Sequence, residues 1–191
     1  MDLLEVIEKR RTIRKFSAPP TEQQIERVLE AGSKAPSAGN KQAWFVIIVN
    51  NHDTREKLGE IKRKLSFTFL PDTEETRIRA QMQKEVFNDC TSLVFYTYAP
   101  EPDDEHRYDM GSAWLFVENL CLTAVSEGLG TQLFAVWGDA EGELNELLGV
   151  PDRFKYVVGV NIGVPHLDYK PSTKVFKPQS EWIFQEKWPM E

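Results

Sequence analysis

Residues 104–127 read DEHRYDMGSAWLFVENLCLTAVSE, and this stretch decides the architecture. Met110, Ala113, Trp114, Val117, Leu120, Cys121, Ala124 and Val125 recur at the i, i+3, i+4, i+7 spacing of one helix face. Leu115, Phe116 and Leu122 are expected on the opposite side, so the helix is apolar almost all round. A helix of that kind must be covered all round. In a chain of 191 residues, one side goes to the chain's own sheet and the other to a second copy of the chain. The stretch therefore predicts a homodimer.

On either side of this helix the pattern alternates between strands and helices. The run WFVIIV at 44–49 reads as a buried strand, and strands follow at 92–98 and 131–137. In the last strand, 156–164, Tyr156, Val158, Val160, Ile162 and Val164 share one face. Gly159, Asn161 and Gly163 leave the other face nearly bare, which lets a backbone or a helix approach closely. Helices are expected at 2–8, from Thr21 onward, at 53–64 with Leu58 and Ile61 inward, at 74–87 and at 141–148, where Gly149 and Pro151 stop the last. Thr21 and Gln24 form a capping box, Pro19 and Pro20 block an earlier start, and Ile25, Val28 and Leu29 make the stripe. Residues 66–71 are aromatic and irregular. Beyond Pro165 an extended basic tail, 166–191, carries Pro171 and Pro178 and ends in Trp182, Phe184 and Trp188. It forms no core alone and is predicted to wrap the partner subunit. The whole, 1–191, reads as one α+β domain.

Composition narrows the function. Hydrophobic residues make up 41% and charged residues 28%, ordinary for a globular protein. A net charge of −7 argues against nucleic acid as a partner, which needs a basic face. The acidic runs at 72–75 and 101–105 serve solubility. No apolar run is long enough to span a membrane, and 1–8 lacks an apolar run with a basic flank, so a cytoplasmic location is expected. Five Trp and eleven Phe are more than one small core needs, and point to a subunit interface or a ligand pocket. Cys90 and Cys121, without CxxC spacing, are expected as buried reduced thiols. His52, His106 and His166 stand apart from one another and from acid clusters, so neither a metal site nor a catalytic triad is expected.

Two motifs carry chemistry. Residues 10–14, RRTIR, put three guanidinium groups and a hydroxyl on one short segment flanked by Lys9 and Lys15. Arg holds phosphate in a planar, bidentate manner; a solvated basic helix end is the plainer reading. Residues 36–42, PSAGNKQ, combine small residues that let backbone approach a ligand with the side-chain amides of Asn40 and Gln42. Alternatively, Asn40 merely turns the chain. Together the two suit a ligand with a phosphate at one end and a flat hydrogen-bonding ring at the other, as in flavin mononucleotide. The Gly128-Leu129-Gly130 run lies between a helix and a strand, the reverse of the dinucleotide fingerprint, and Gly128 reads as a helix C-cap.

These motifs, RRTIRKF at 10–16 and APSAGNKQAW at 35–44, resemble the N-terminal signatures of the nitroreductase family of FMN-dependent oxidoreductases. The resemblance continues through 44–49, through LTAVSEGLG at 122–130 and through VVGVNIGVP at 157–165, and lapses over 67–90. It implies an intertwined homodimer around a central mixed, mainly antiparallel sheet flanked by helices, with FMN at the interface. Arg10, Arg11, Thr12 and Arg14 would contact phosphate, ribityl chain and ring edge. Pro36, Ser37, Asn40 and Gln42 would line the flavin, from the partner chain. The main chain of Leu133, Phe134 and Ala135 would lie near the central ring, and Lys174 or Lys177 would complete the phosphate site. Two departures stand out: Ala43 replaces the family's usual Pro, and the tail offers Lys where Arg is common. The implied activity is hydride transfer from NADH or NADPH through FMN to a small electron-poor acceptor, a nitroaromatic or quinone, by a ping-pong mechanism, with no catalytic side chain required. A flavin-binding sensor or store, reductive dehalogenation and flavin fragmentation are the alternatives.

Overall fold

The computed structural model describes residues 1–99 and 106–188. The predicted helix start at 104, the acidic run at 101–105 and the last three tail residues lie outside the described residues. In chain order the elements are α1 (Leu3–Lys9), β1 (Phe16–Ala18), α2 (Glu22–Ser33), β2 (Phe45–Val49), α3 (His52–Phe69), α4 (Glu74–Glu85), β3 (Thr91–Tyr98), α5 (His106–Ser126), β4 (Gly130–Phe134), α6 (Asp139–Leu148) and β5 (Phe154–Pro165). The strands run β1-β5-β3-β2, and β4 also pairs with β5. Each of these strand pairings is antiparallel. One parallel bridge, Thr12 to Thr131, adds the arginine segment beside β4.

The sheet separates two apolar layers. On one face Leu93, Phe95, Val158, Val160 and Ile162 meet α2 and α5 through Val28, Phe116, Val117 and Leu120. On the other, Val94, Tyr96, Phe134 and Tyr156 meet α3 and α6 through Leu58, Ile61, Leu65 and Leu144. Helix α2 starts at the predicted capping box, with Gln24 N–H donating to the Thr21 hydroxyl and Thr21 N–H to the Gln24 side chain.

Several expectations need correction. In α5 the buried stripe is Ala113, Phe116, Val117, Leu120, Cys121 and Ala124, so Phe116 faces inward, while Trp114, 42% exposed, faces out with Leu115. Phe116 wins the inner place because Trp44 and Phe95 both stack edge-on against its ring and because Gly32 of α2 leaves room for it. Strand β2 is an edge strand with Phe45 and Ile48 exposed, not a buried one. Tyr156 does not share a face with Val158: opposite Phe95-Tyr96 of β3, β5 places Val158 and Tyr156 with Val157 bulged between them. The bulge turns Tyr156 to the α3/α6 side. Finally, α3 runs on to Phe69 where an irregular segment was expected, the short β1 was not foreseen, and β4 ends at Phe134 rather than 137.

The bare face of β5 is filled as its glycines require. A side chain at Gly159 would fall on the Phe134 ring, and one at Gly163 would meet the carbonyls of Ala18 and Asp89. Between them Asn161 is buried but satisfied, accepting from the Ser92 hydroxyl and donating to Gln132. Both cysteines are buried and unpaired. No helix among the described residues is long and apolar enough to cross a membrane.

Candidate functional site

The arginine segment is clamped to the sheet edge. Beyond α1 the chain extends; Ile13 N–H donates to the Thr131 carbonyl at 2.9 Å, and the Tyr169 hydroxyl of the tail donates to the Thr12 carbonyl at 3.3 Å. Ile13 is buried against Gly130, where a side chain would come within 2.5–3.1 Å of it. The second glycine of Gly128-Leu129-Gly130 thus serves close packing. The first, at φ 73°, ends α5 as expected.

Along this clamped segment the cations take different jobs. Arg11 Nη1 donates to the Glu8 and Arg10 carbonyls and closes the end of α1, so the helix-end reading accounts for this guanidinium. Arg10 Nε lies 3.8 Å from Glu118 Oε1 of α5. The tail returns Lys174 to the same place: partial burial and the like charges of Arg10 and Arg11 pull its ammonium below the usual lysine range, and Glu118 opposes them. Arg10 and Lys174 thus lie beside one half-exposed carboxylate with the Arg11 charge close by, an excess of positive charge that suits an anion. The Lys177 carbonyl accepts from the Trp182 indole. Arg14 is exposed and opens on a separate groove of about 1050 Å³, shared with Arg79, Met82, His166 and Tyr169.

The 36–42 loop is tense and tied. Gly39, Asn40 and Gln42 have φ of 57°, 56° and 51°, a conformation that non-glycine residues seldom hold without support. Support comes from Gln42 N–H donating to the Ser37 hydroxyl at 3.1 Å and from the Gln42 amide donating to Asn40 Oδ1 at 3.0 Å. Ala38 N–H donates to the Ser112 hydroxyl, and Lys41 Nζ pairs at 2.6 Å with Asp109, which is buried. Ala43 is buried behind the loop. Sequence reading missed the Lys41–Asp109 tie, because only the fold brings α5 beside the loop. The loop meets α5 at Asp109 and Ser112, whereas Arg10 meets it at Glu118. Six to nine residues of helix put the loop's attachments about 9–13 Å from that of Arg10 along its axis. Within one chain, Pro36, Ser37, Asn40 and Gln42 are not brought against the arginines.

The third component is the main chain after β4. Phe134 buries its ring beside Phe87, 5.0 Å between centroids, and its carbonyl accepts from the Tyr156 hydroxyl at 2.7 Å. Burial pushes that phenol's pKa up, keeping it protonated as the donor. Ala135 is exposed, and its carbonyl accepts from Lys62 Nζ of α3 at 2.7 Å. Nothing in the sequence singled out Lys62, since a lysine's reach is decided by what packs beneath it. From Thr131, beside Thr12, to Ala135 the strand rises about 13 Å. A phosphate at the cation cluster and a ring beside Ala135 would be spanned by a ligand of that length.

The nitroreductase family model matches residues 7–164. A protein of Archaeoglobus fulgidus that carries the name NADH dehydrogenase/NAD(P)H nitroreductase is 30% identical over 98% of this chain and 99% of its own. Nitroreductase A of Vibrio parahaemolyticus superposes with a TM-score of 0.80 at 21% identity, covering 100% of this chain and 78% of that one. An iodotyrosine deiodinase bound to FMN and 3-iodo-L-tyrosine superposes at 0.76 with 20% identity, covering 98% and 100%.

Proposed function

The chain belongs to the nitroreductase family, and from that premise we propose that it is an FMN-dependent NAD(P)H oxidoreductase acting as a homodimer on a small electron-poor acceptor. The observation that carries the reading is the placing of Lys174 beside Arg10, Arg11 and Glu118, with Arg10 against the same carboxylate, next to a segment clamped to β4. These residues would hold the FMN phosphate, with Thr12 beside them and Arg14 toward the ring edge. When bound, the flavin supplies hydride acceptance from NADH or NADPH and hydride donation to the acceptor.

The chain's own groups bind, orient and shape. The Tyr156 hydroxyl and Lys62 ammonium each hold a carbonyl, of Phe134 and of Ala135, and so fix the peptide planes that would face the ring. Pro36, Ser37, Asn40 and Gln42 would close the site from a second subunit, because one chain holds them away from the arginines. A second copy is also supported by the outward apolar residues Trp114 and Leu115 of α5, Leu3, Leu4 and Ile7 of α1, and the tail residues Val175 and Phe176. The test is the absorbance spectrum of the purified protein, its mass in solution, and steady-state NAD(P)H oxidation with a quinone or nitroaromatic. Bound flavin, a dimeric mass and parallel double-reciprocal plots are expected. A protein that takes up no FMN when incubated with it overturns the reading.

A further inference from the structure

Four cations stand close together on α3 and α4, and three of them are spent on carboxylates. Arg63 pairs with Glu60, Lys64 with Glu143, and Lys84 with Glu56 and Glu60. Lys62 differs. Among the described residues no carboxylate lies within ion-pair distance of it; its ammonium donates one hydrogen bond to the Ala135 carbonyl and sits 5.6 Å from the Trp137 ring centroid. Phe69, at the end of α3, lies 5.7 Å from the same indole. Both rings stay uncovered, Trp137 at 46% and Phe69 at 65% exposure.

Building on the proposed function, we infer that Lys62, Trp137 and Phe69 form the acceptor end of the site and favour a planar aromatic acceptor bearing an anionic substituent, such as a carboxylate. The chemistry is direct. An ammonium has three N–H donors, and one is used on Ala135. The others are available to an anion, and the exposed rings supply apolar surface for an aromatic body. Desolvation holds the Lys62 ammonium below the usual lysine range, so an incoming carboxylate would restore solvation that the fold has removed. Ala135 ties this cluster to the main-chain run assigned to the flavin ring, which sets the acceptor's charged end beyond the reacting centre.

The test compares 4-nitrobenzoate with its neutral isostere 4-nitrobenzamide, titrated calorimetrically into the purified oxidised protein without nicotinamide. Flavin content is measured first by absorbance. Wild type should bind the carboxylate roughly tenfold more tightly than the amide, as one charge-assisted contact allows. Lys62→Gln should bring the ratio to about one, and Lys62→Arg, which keeps the charge, should retain most of it. Raised salt should shrink the wild-type ratio. A wild-type ratio of one, or a preference that survives in Lys62→Gln, overturns the inference. Absent flavin overturns the functional reading instead, and the ratio measured on that protein still decides the subsite.

Discussion

Replacing Gly159 with Ala tests how the candidate ring-facing segment is supported. The new methyl group would fall on the ζ and ε carbons of Phe134, far inside van der Waals contact. In a strand interior, Ala is otherwise better than Gly by about 0.5–1 kcal/mol. Overpacking a filled core costs about 1–3 kcal/mol, so the clash wins and the variant should lose about 1–2 kcal/mol. The ring has little freedom to retreat, since Phe87 meets it edge-on and Tyr156 holds its carbonyl. Phe134→Leu removes the ζ and ε carbons that would be struck, at a cost of about 1 kcal/mol in lost burial. The cost of the Gly159→Ala/Phe134→Leu double variant should therefore fall short of the sum of the single costs by the relieved clash, about 1–3 kcal/mol. Urea unfolding followed by tryptophan fluorescence, at one fixed protein concentration, measures all four corners of the cycle. Flavin retention by Gly159→Ala should fall too, because Phe134 lies between Leu133 and Ala135. A Gly159→Ala protein as stable as wild type, or additive costs, would refute the reasoning.

Other expectations are more local. Arg10→Ala and Lys174→Ala should each weaken FMN binding by ~1.5–3 kcal/mol, while Lys177→Ala should change it little. Fluorescence titration of the deflavinated proteins reads the three, and equal losses at 174 and 177 would contradict the cluster described. Arg14→Ala is expected to reduce flavin occupancy as well, and full occupancy after purification would remove Arg14 from the site. Thr21→Ala should destabilise the fold by about 1 kcal/mol through loss of the α2 cap, visible as a lower urea midpoint. Burial pushes the thiols of Cys90 and Cys121 from their ordinary value of 9.0 up to about 11. Their raised folded pKa favours the protonated fold below 9.0, and stability should fall as the pH climbs from there toward 11, where the unfolded chain sheds protons first. Neither thiol should react with Ellman's reagent near neutral pH until denaturant is added.

Much of the architecture was legible because it rests on short-range rules. The Thr21–Gln24 box, the stop at Gly128 and the periodicity of α5 are local patterns with local causes. Where the reading failed, the cause was long-range. The bulge at Val157 depends on how β5 registers against β3, and no feature of β5 alone announces it. Trp114 and Phe116 are both large and apolar, and only the rings of Trp44 and Phe95 decide which turns inward. The continuous apolar run of β2 suggested cover on both faces, yet a strand at a sheet edge shows the same composition. Residues 66–69, aromatic and weak in helix propensity, stay helical as the continuation of an 18-residue helix already packed through Leu58, Ile61 and Leu65. The site divides in the same way. Arg10 and the 36–42 loop stood out by residue type, whereas Lys62, Lys41 and the choice between Lys174 and Lys177 depend on where long side chains are carried by the fold.

The two attachments on α5 have a thermodynamic consequence. Asp109 and Ser112 hold the loop, Glu118 meets Arg10, and Trp114 and Leu115 between them face outward. On the proposed assembly, one rod of backbone carries both the docking surface and the anchors of two half-sites. Association and cofactor loading are then linked equilibria: whatever separates the protomers also empties them, and saturating flavin mononucleotide should tighten self-association by the same factor. Dilution alone should then discharge the yellow colour.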